Sequence, residues 1–353
     1  MKSLVLHIGI PKTGSSALQV FCAQNRKALL QQSLDYFELG DFDLGVRGKI
    51  SSGNGAHLAR SFLRPKGPSF RSDREEQLAA LERRIAASSC EVGFLSSEIF
   101  VFADDASIAQ FAEWLGQRGI TLRFFYLIRD QLQFLTSSYI QQVKRHACTE
   151  TCEQYVGRIF EKIAHIKYTR LHRRLAKFTT PENILCRSYA DARAVEHGVC
   201  GLFIEAFGLN AGAFKFADSS VNVSLDLTEI KVMLALNKLK PRMMFSDLMV
   251  ENAAQRGRKN SDLTTRLLSA ATVSRIEDYF AADNAQFARE YFGREQLFEP
   301  RRREEATEVD PNSDPPLSEV LEVLGGLLVR FDERLAVLER RISSALATEA
   351  EES

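Results

Sequence analysis

No apolar run in the 353 residues is long enough to span a membrane. After Met1-Lys2 the hydrophobic stretch is only Leu4 to Ile10 before Pro11-Lys12-Thr13-Gly14 interrupts it. That is too short for a secretory leader, so a cytoplasmic setting is expected. Cysteine is sparse and unpatterned: there are six, none in a Cys-x-x-Cys pair, and His146, Cys148 and Cys152 lack a fourth metal ligand nearby. Neither a metal site nor a disulfide framework is expected, and reduced thiols, mostly in the core, account for the six. With 20 glycines and 9 prolines, the chain is neither collagen-like nor of low complexity.

What is present is an ordinary globular composition, 45% hydrophobic and 26% charged, on a chain long enough to bury a large core without staples. The 46 basic and 46 acidic residues balance, but unevenly along the chain. Residues 301–353 hold 7 basic and 13 acidic side chains, leaving residues 1–300 at a net +6. A mildly basic body suits a small anionic ligand, and no nucleic-acid partner is expected.

Five short apolar runs read as buried parallel strands: Leu4–Ile10, Leu34–Leu39, Val92–Ser96, Leu122–Ile128 and Asn183–Tyr189. Helical patterns fill the gaps at Ser15–Gln32, Arg74–Ala87, Ala106–Arg118, Leu132–Arg145 and Glu153–Phe178. The alternation predicts an α/β fold, a three-layer sandwich with a central, mainly parallel sheet flanked by helices. Ligands gather at the carboxyl ends of such strands. Residues 40–73, rich in Gly, Ser and basic side chains, read as an insertion over those ends, and 211–300 as a helical region. One domain is therefore expected over 1–300. It is followed by a charged, proline-rich linker at 301–316 and an amphipathic helix at 317–348. In that helix apolar residues from Leu317 to Ile342 alternate steps of four and three, the spacing of a coiled-coil seam, with Gly325-Gly326 as a local weakness. The spacing predicts a homo-oligomer, the alternative being a helix folded back on the body.

The chemistry concentrates where the first strand ends, at Gly9-Ile10-Pro11-Lys12-Thr13-Gly14-Ser15-Ser16. Glycines let backbone N–H groups crowd an anion, Ser15 and Ser16 are expected to cap the next helix, and Lys12 adds a full positive charge. This is a cradle for phosphate or sulfate, but not the ATP/GTP loop, which needs Gly-Lys-Ser/Thr after four spacers. Farther on, the fourth strand ends in Arg129-Asp130, and Ser137 falls eight residues after Arg129 on a predicted helix. An arginine fork plus a hydroxyl suits a phosphate dianion.

Together the two stretches resemble the sulfotransferases that use 3′-phosphoadenosine 5′-phosphosulfate (PAPS), and most of all the bacterial, carbohydrate-type members beginning His-Ile-Gly-x-x-Lys-Thr-Gly. Their first motif, Pro-Lys-x-Gly-Thr-Thr, corresponds to Pro11-Lys12-Thr13-Gly14-Ser15-Ser16. Their second, an arginine followed by Asp/Asn-Pro with a serine eight residues on, corresponds to Arg129 and Ser137, with Gln131 in place of the proline. The likeness covers residues 3–210 and implies a P-loop-like sheet. It also implies that the Pro11–Ser16 loop holds the 5′-phosphosulfate, with Lys12 on the leaving oxygen, and that Arg129 and Ser137 hold the 3′-phosphate. The acceptor would be a carbohydrate or another hydroxyl or amine compound. Glu98, at the end of the third strand, is the first candidate for the base, and His57, in Gly53-Asn54-Gly55-Ala56-His57, the second. The run Arg256-Gly257-Arg258-Lys259 reads as a surface loop that could alternatively close over the 3′-phosphate. Competing readings are a small-molecule kinase on a related loop, or a donor-binding scaffold without catalysis.

Overall fold

The computed structural model describes residues 1–216, 225–240, 244–256, 266–299 and 313–351. Each apolar run becomes a strand: β1 (Ser3–His7), β2 (Leu34–Tyr36), β3 (Val92–Ser96), β4 (Thr121–Ile128) and β5 (Ile184–Ser188). They form one five-stranded sheet in the order β2-β3-β1-β4-β5, every pairing parallel. β1 is central and all five of its residues are buried, which explains an apolar run without polar alternation.

The helices are α1 (Ser15–Gln24), α2 (Arg26–Gln31), α3 (Phe42–Val46), α4 (Ala56–Ser61), α5 (Arg74–Ala87), α6 (Asp105–Gly116) and α7 (Gln131–Arg145). They continue as α8 (Cys152–Ile159), α9 (Tyr168–Leu175), α10 (Gly198–Ala206), α11 (Leu227–Lys238), α12 (Met244–Arg256), α13 (Ala270–Phe287) and α14 (Leu317–Glu351). On one sheet face Val5, Phe94 and Phe125 pack against Leu18 and Phe21 of α1 and Phe203 of α10. Alternate side chains point the other way. There α6 packs on β4, and Tyr126 and His172 of α9 share a 2.9 Å hydrogen bond. The result is the three-layer α/β sandwich that the sequence predicts.

The chain divides into two compact units: the described parts of Met1–Phe134, Lys162–Ser219 and Phe280–Glu299, and those of Leu135–Glu161, Ser220–Tyr279 and Pro300–Ser353. The sheet lies in the first. In the second, α14 packs on α11 and α12, and Asn237 donates to the carbonyls of Val143 (2.9 Å) and Cys148 (2.8 Å). Arg256 is tied there to Glu229 (2.9 Å), Glu322 (3.2 Å) and Asp226 (3.4 Å), an internal ion cluster rather than a surface loop. Arg258, Lys259 and linker residues 301–312 lie outside the described residues.

Two helices differ from expectation. The helix expected over Ser15–Gln32 breaks at Asn25, whose side chain accepts from Lys215 N and donates to Lys215 O, both at 2.8 Å. The helix expected over Glu153–Phe178 splits into α8 and α9, joined by two short 3₁₀ turns. Tertiary bonds fix that join: Tyr168 N donates to Asp283 (2.7 Å), and Gln131 Nε2 to the Ile166 carbonyl (3.2 Å). Among the described residues no helix is long and apolar enough to cross a membrane. The six cysteines are free, with Cys22, Cys90 and Cys152 buried.

Candidate functional site

The carboxyl end of β1 passes into a tight turn whose backbone is left-handed at Lys12 (φ 72°) and Gly14 (φ 85°). Gly14 is required twice: for that conformation, and because a Cβ there would stand 2.7 Å from Val199. The turn is braced from within by Thr13, whose hydroxyl donates to the Ile10 carbonyl at 2.7 Å and is thereby spent on structure. The expected serine caps are not found: Gly14 is the N-cap of α1, with no side-chain cap bond, so Ser15 and Ser16 fall inside the first turn. The left-handed glycine starts the helix one residue early. The first-turn N–H groups therefore have no carbonyl partner within the helix and no capping side chain, the arrangement that favours an anion.

Three more elements bring chemistry to this turn. Arg129 leaves the end of β4 and donates from Nη1 to the carbonyl of Lys12 at 2.5 Å. Its guanidinium lies 4.9 Å over the Tyr189 ring beyond β5, and its buried Nε has no hydrogen-bond partner among the described residues. Tyr168 holds the Arg129 backbone on both sides, donating to its carbonyl and accepting from its N–H. From the end of β3 comes Glu98, presented by a single 3₁₀ stretch that Ser97 caps through the N–H of Ile99 (3.2 Å). Gly9 makes room for it: a Cβ there would lie 2.7 Å from Ser15 Oγ and 3.2 Å from Glu98 Cγ.

The electrostatics follow from this crowding. Burial pushes the Glu98 carboxyl above its ordinary range, opposed by Ser15, the Lys12 ammonium and the Lys12 backbone N–H. Ser15 Oγ is near the carboxyl but forms no hydrogen bond of normal geometry. Burial likewise pulls Lys12 down; Glu98 resists and the neighbouring Arg129 adds to the fall. Arg129 is lowered by burial, with Tyr189 and Asp130 opposing.

The structure thus brings Lys12, Ser15, Glu98 and Arg129 together. His57 lies on α4, which packs against the 3₁₀ stretch that begins with Glu98, and its Nε2 is 3.9 Å from Asp41. Ser137 is a partly exposed residue two turns into α7, in the second unit. Gln131 serves the fold. It is buried, exchanges amide hydrogen bonds with Asn284 (2.7 and 3.0 Å), and opens α7 just after Asp130, which accepts from Gln133 N at 2.9 Å.

Sequence reasoning misses what lies beneath the site. His7 Nδ1 is 2.8 Å from Ser96 Oγ, which also accepts from Gln19 Nε2 at 3.1 Å. Asn54 takes the place of a strand residue: its Oδ1 accepts from Ser96 N (2.7 Å), and its Nδ2 donates to the Phe94 (3.1 Å) and Phe37 (3.0 Å) carbonyls. The insertion is thereby stitched to the end of β3, directly before Glu98. Gly53-Asn54-Gly55 is the signal that could have revealed this. Gly53 is left-handed, and a Cβ on it would meet the Ser96 carbonyl at 2.1 Å.

No protein-family model and no curated protein matches the chain. Among solved structures, a sulfotransferase from Alicyclobacillus acidocaldarius is similar in chain course, with a TM-score of 0.41 and 13% identity over 67% of this chain and 93% of that one.

Proposed function

We propose that the protein is a sulfotransferase that moves a sulfuryl group from PAPS to a hydroxyl or amine of a carbohydrate-like acceptor. The observation that carries the reading is the 2.5 Å bond from Arg129 to the Lys12 carbonyl, which gathers two cations at one uncapped helix N-terminus. Such a place suits a ligand with more than one anionic group. Arg129, with an unpartnered buried Nε, is the cation for the 3′-phosphate, and the sequence motif assigns Ser137 as its companion hydroxyl. The first turn of α1 and Lys12 take the 5′ end.

In this reading Lys12 acts on the leaving oxygen. As sulfur bonds to the acceptor and its bond to the 5′-phosphate breaks, negative charge grows on that phosphate, and a fixed ammonium stabilises it more than the ground state. Glu98 takes the acceptor's proton, and its raised affinity for protons suits a base working nearer neutrality than a free carboxylate. No metal is required by this chemistry.

Adenosine 3′,5′-bisphosphate, titrated calorimetrically, is expected to bind the wild-type protein in preference to ATP with Mg²⁺. Lys12→Ala and Arg129→Ala should each weaken binding at least about tenfold, the loss of one charge-assisted contact. No affinity in the wild type, or affinity that neither substitution changes, ends the proposal.

A further inference from the structure

We propose that the outward face of α14 is a homodimer seam, filled by the same helix of a second copy running parallel to it. The inference goes beyond the reaction proposed above and does not depend on it.

α14 carries two apolar stripes. The inner one docks on its own unit: Val323 and Leu327 are 0% and 5% exposed, against α11 and α12. Gly326 allows the approach, since a Cβ there would lie 2.2 Å from Asn252 Oδ1. The outer stripe is the four-three seam. Leu317 is 71% exposed, Leu328 69% and Ile342 58%, and the seam leucines between them are exposed as well. A helix needs one apolar stripe to dock; this one has a second, about a quarter of a turn away at 3.6 residues per turn, in which Phe331 stacks on Phe245 of α12 at 6.4 Å while the other seam residues stay exposed.

Two features identify the occupant as a second copy. The 3.5-residue period holds over nearly four heptads, and it matches a partner with the same period, which a copy of this helix supplies. The flanking charges then set the direction. With Leu321, Leu328, Leu335 and Ile342 at the a positions, Arg334 and Arg341 fall at g, and Asp332 and Glu339 at e. In a parallel pair each g side chain meets the e side chain five residues farther along the partner, so Arg334 faces Glu339 in both directions. An antiparallel pair would set arginine against arginine and carboxylate against carboxylate. Arg334 is bound to Glu251 at 2.6 Å, yet its side chain stays 39% exposed, leaving N–H groups for a partner. Because the inner stripe already holds the helix in place, pairing orders little new chain.

The full-length protein is to be examined by sedimentation equilibrium from micromolar to submillimolar concentration. The expected mass is twice the 39.7 kDa of the chain. Leu328→Glu/Leu335→Glu, both at exposed positions, should leave circular dichroism unchanged and raise the dimer dissociation constant more than about 100-fold, since each charge would be buried at the seam. Direction is read with Leu338→Cys. A d position faces its own copy in a parallel pair, so mild oxidation should give a covalent dimer that wild-type protein, with its own cysteines, does not form. A monomer at every concentration, a double-glutamate variant that still dimerises, or a dimer that Leu338→Cys fails to cross-link would each overturn the proposal.

Discussion

Glu98 stands between two roles, counter-charge to Lys12 and proton acceptor, and its surroundings bear on which it fills. A carboxylate kept only as counter-charge gains from a low proton affinity, whereas Glu98 is displaced upward by burial. Under the proposed function, Glu98→Gln should therefore lose on the order of 10²–10⁴ in turnover while bisphosphate affinity changes only a few-fold, because the amide keeps the shape but takes no proton. The pH profile gives a second reading. The base works deprotonated, so activity should rise with pH through the Glu98 carboxyl, at a pH above that of an ordinary glutamate, and the limb should vanish in the glutamine variant. Lys12 must stay charged, and burial lowers its proton affinity, so activity should fall again at a lower pH than an ordinary lysine would set. Near wild-type rates in Glu98→Gln would assign proton transfer to His57 or another group.

At the scale of elements, what was legible in the sequence was whatever burial writes locally. All five strands, α5 and α7 stand where period and run length put them, because strands covered on both faces and helices with one wet face leave signals within their own span. The misplaced helix ends are set by distant partners: Asn25 by Lys215, and the α8–α9 join by Asp283. The site shares this asymmetry. Lys12, Arg129 and Glu98 could be nominated from local motifs, but the bond that gathers two of them spans 117 positions. Gln131 is the sharpest case. Beside the family's pattern it looks like the loss of a proline at the first position of a helix, where proline is normally welcome. Here its side chain holds both Asn284 and the Ile166 carbonyl. Gln131→Pro should therefore destabilise the protein by about 1–3 kcal/mol, the range for leaving buried amide groups unpaired, despite the favourable helix start. A melting temperature equal to or above wild type would show that the amide pair contributes nothing.

For the whole molecule, the buried imidazoles are expected to make stability fall as the solution turns acid. His7 is fully buried, stacked on Phe94 and tilted against Phe125, and burial pulls it down to about 3 from 6.5. His165 and His172, in the same unit, are each pulled down to about 4 by burial, with Glu290 resisting at His172. Each is neutral in the folded chain and would take a proton in the unfolded one as pH falls below 6.5. Between the two values the unfolded state binds more protons, so stability is lost as pH falls. For His7 the interval from 6.5 down to pH 5 amounts to about 2 kcal/mol, at 1.36 kcal/mol per unit. Glu98 opposes this weakly, because its raised carboxyl binds protons more readily folded than unfolded. His7→Phe keeps the aromatic stack, and Ser96 Oγ still receives the hydrogen bond from Gln19, so the variant should fold. Thermal melts between pH 7.5 and 5 should then show a smaller drop in the variant than in wild type, by roughly 3 °C, the shift that 2 kcal/mol produces in a chain of 353 residues. The exposed His146, replaced by glutamine, serves as control and should melt with the wild-type slope. If the His7→Phe slope also matches wild type, the imidazole beneath the site is not the group that acid attacks.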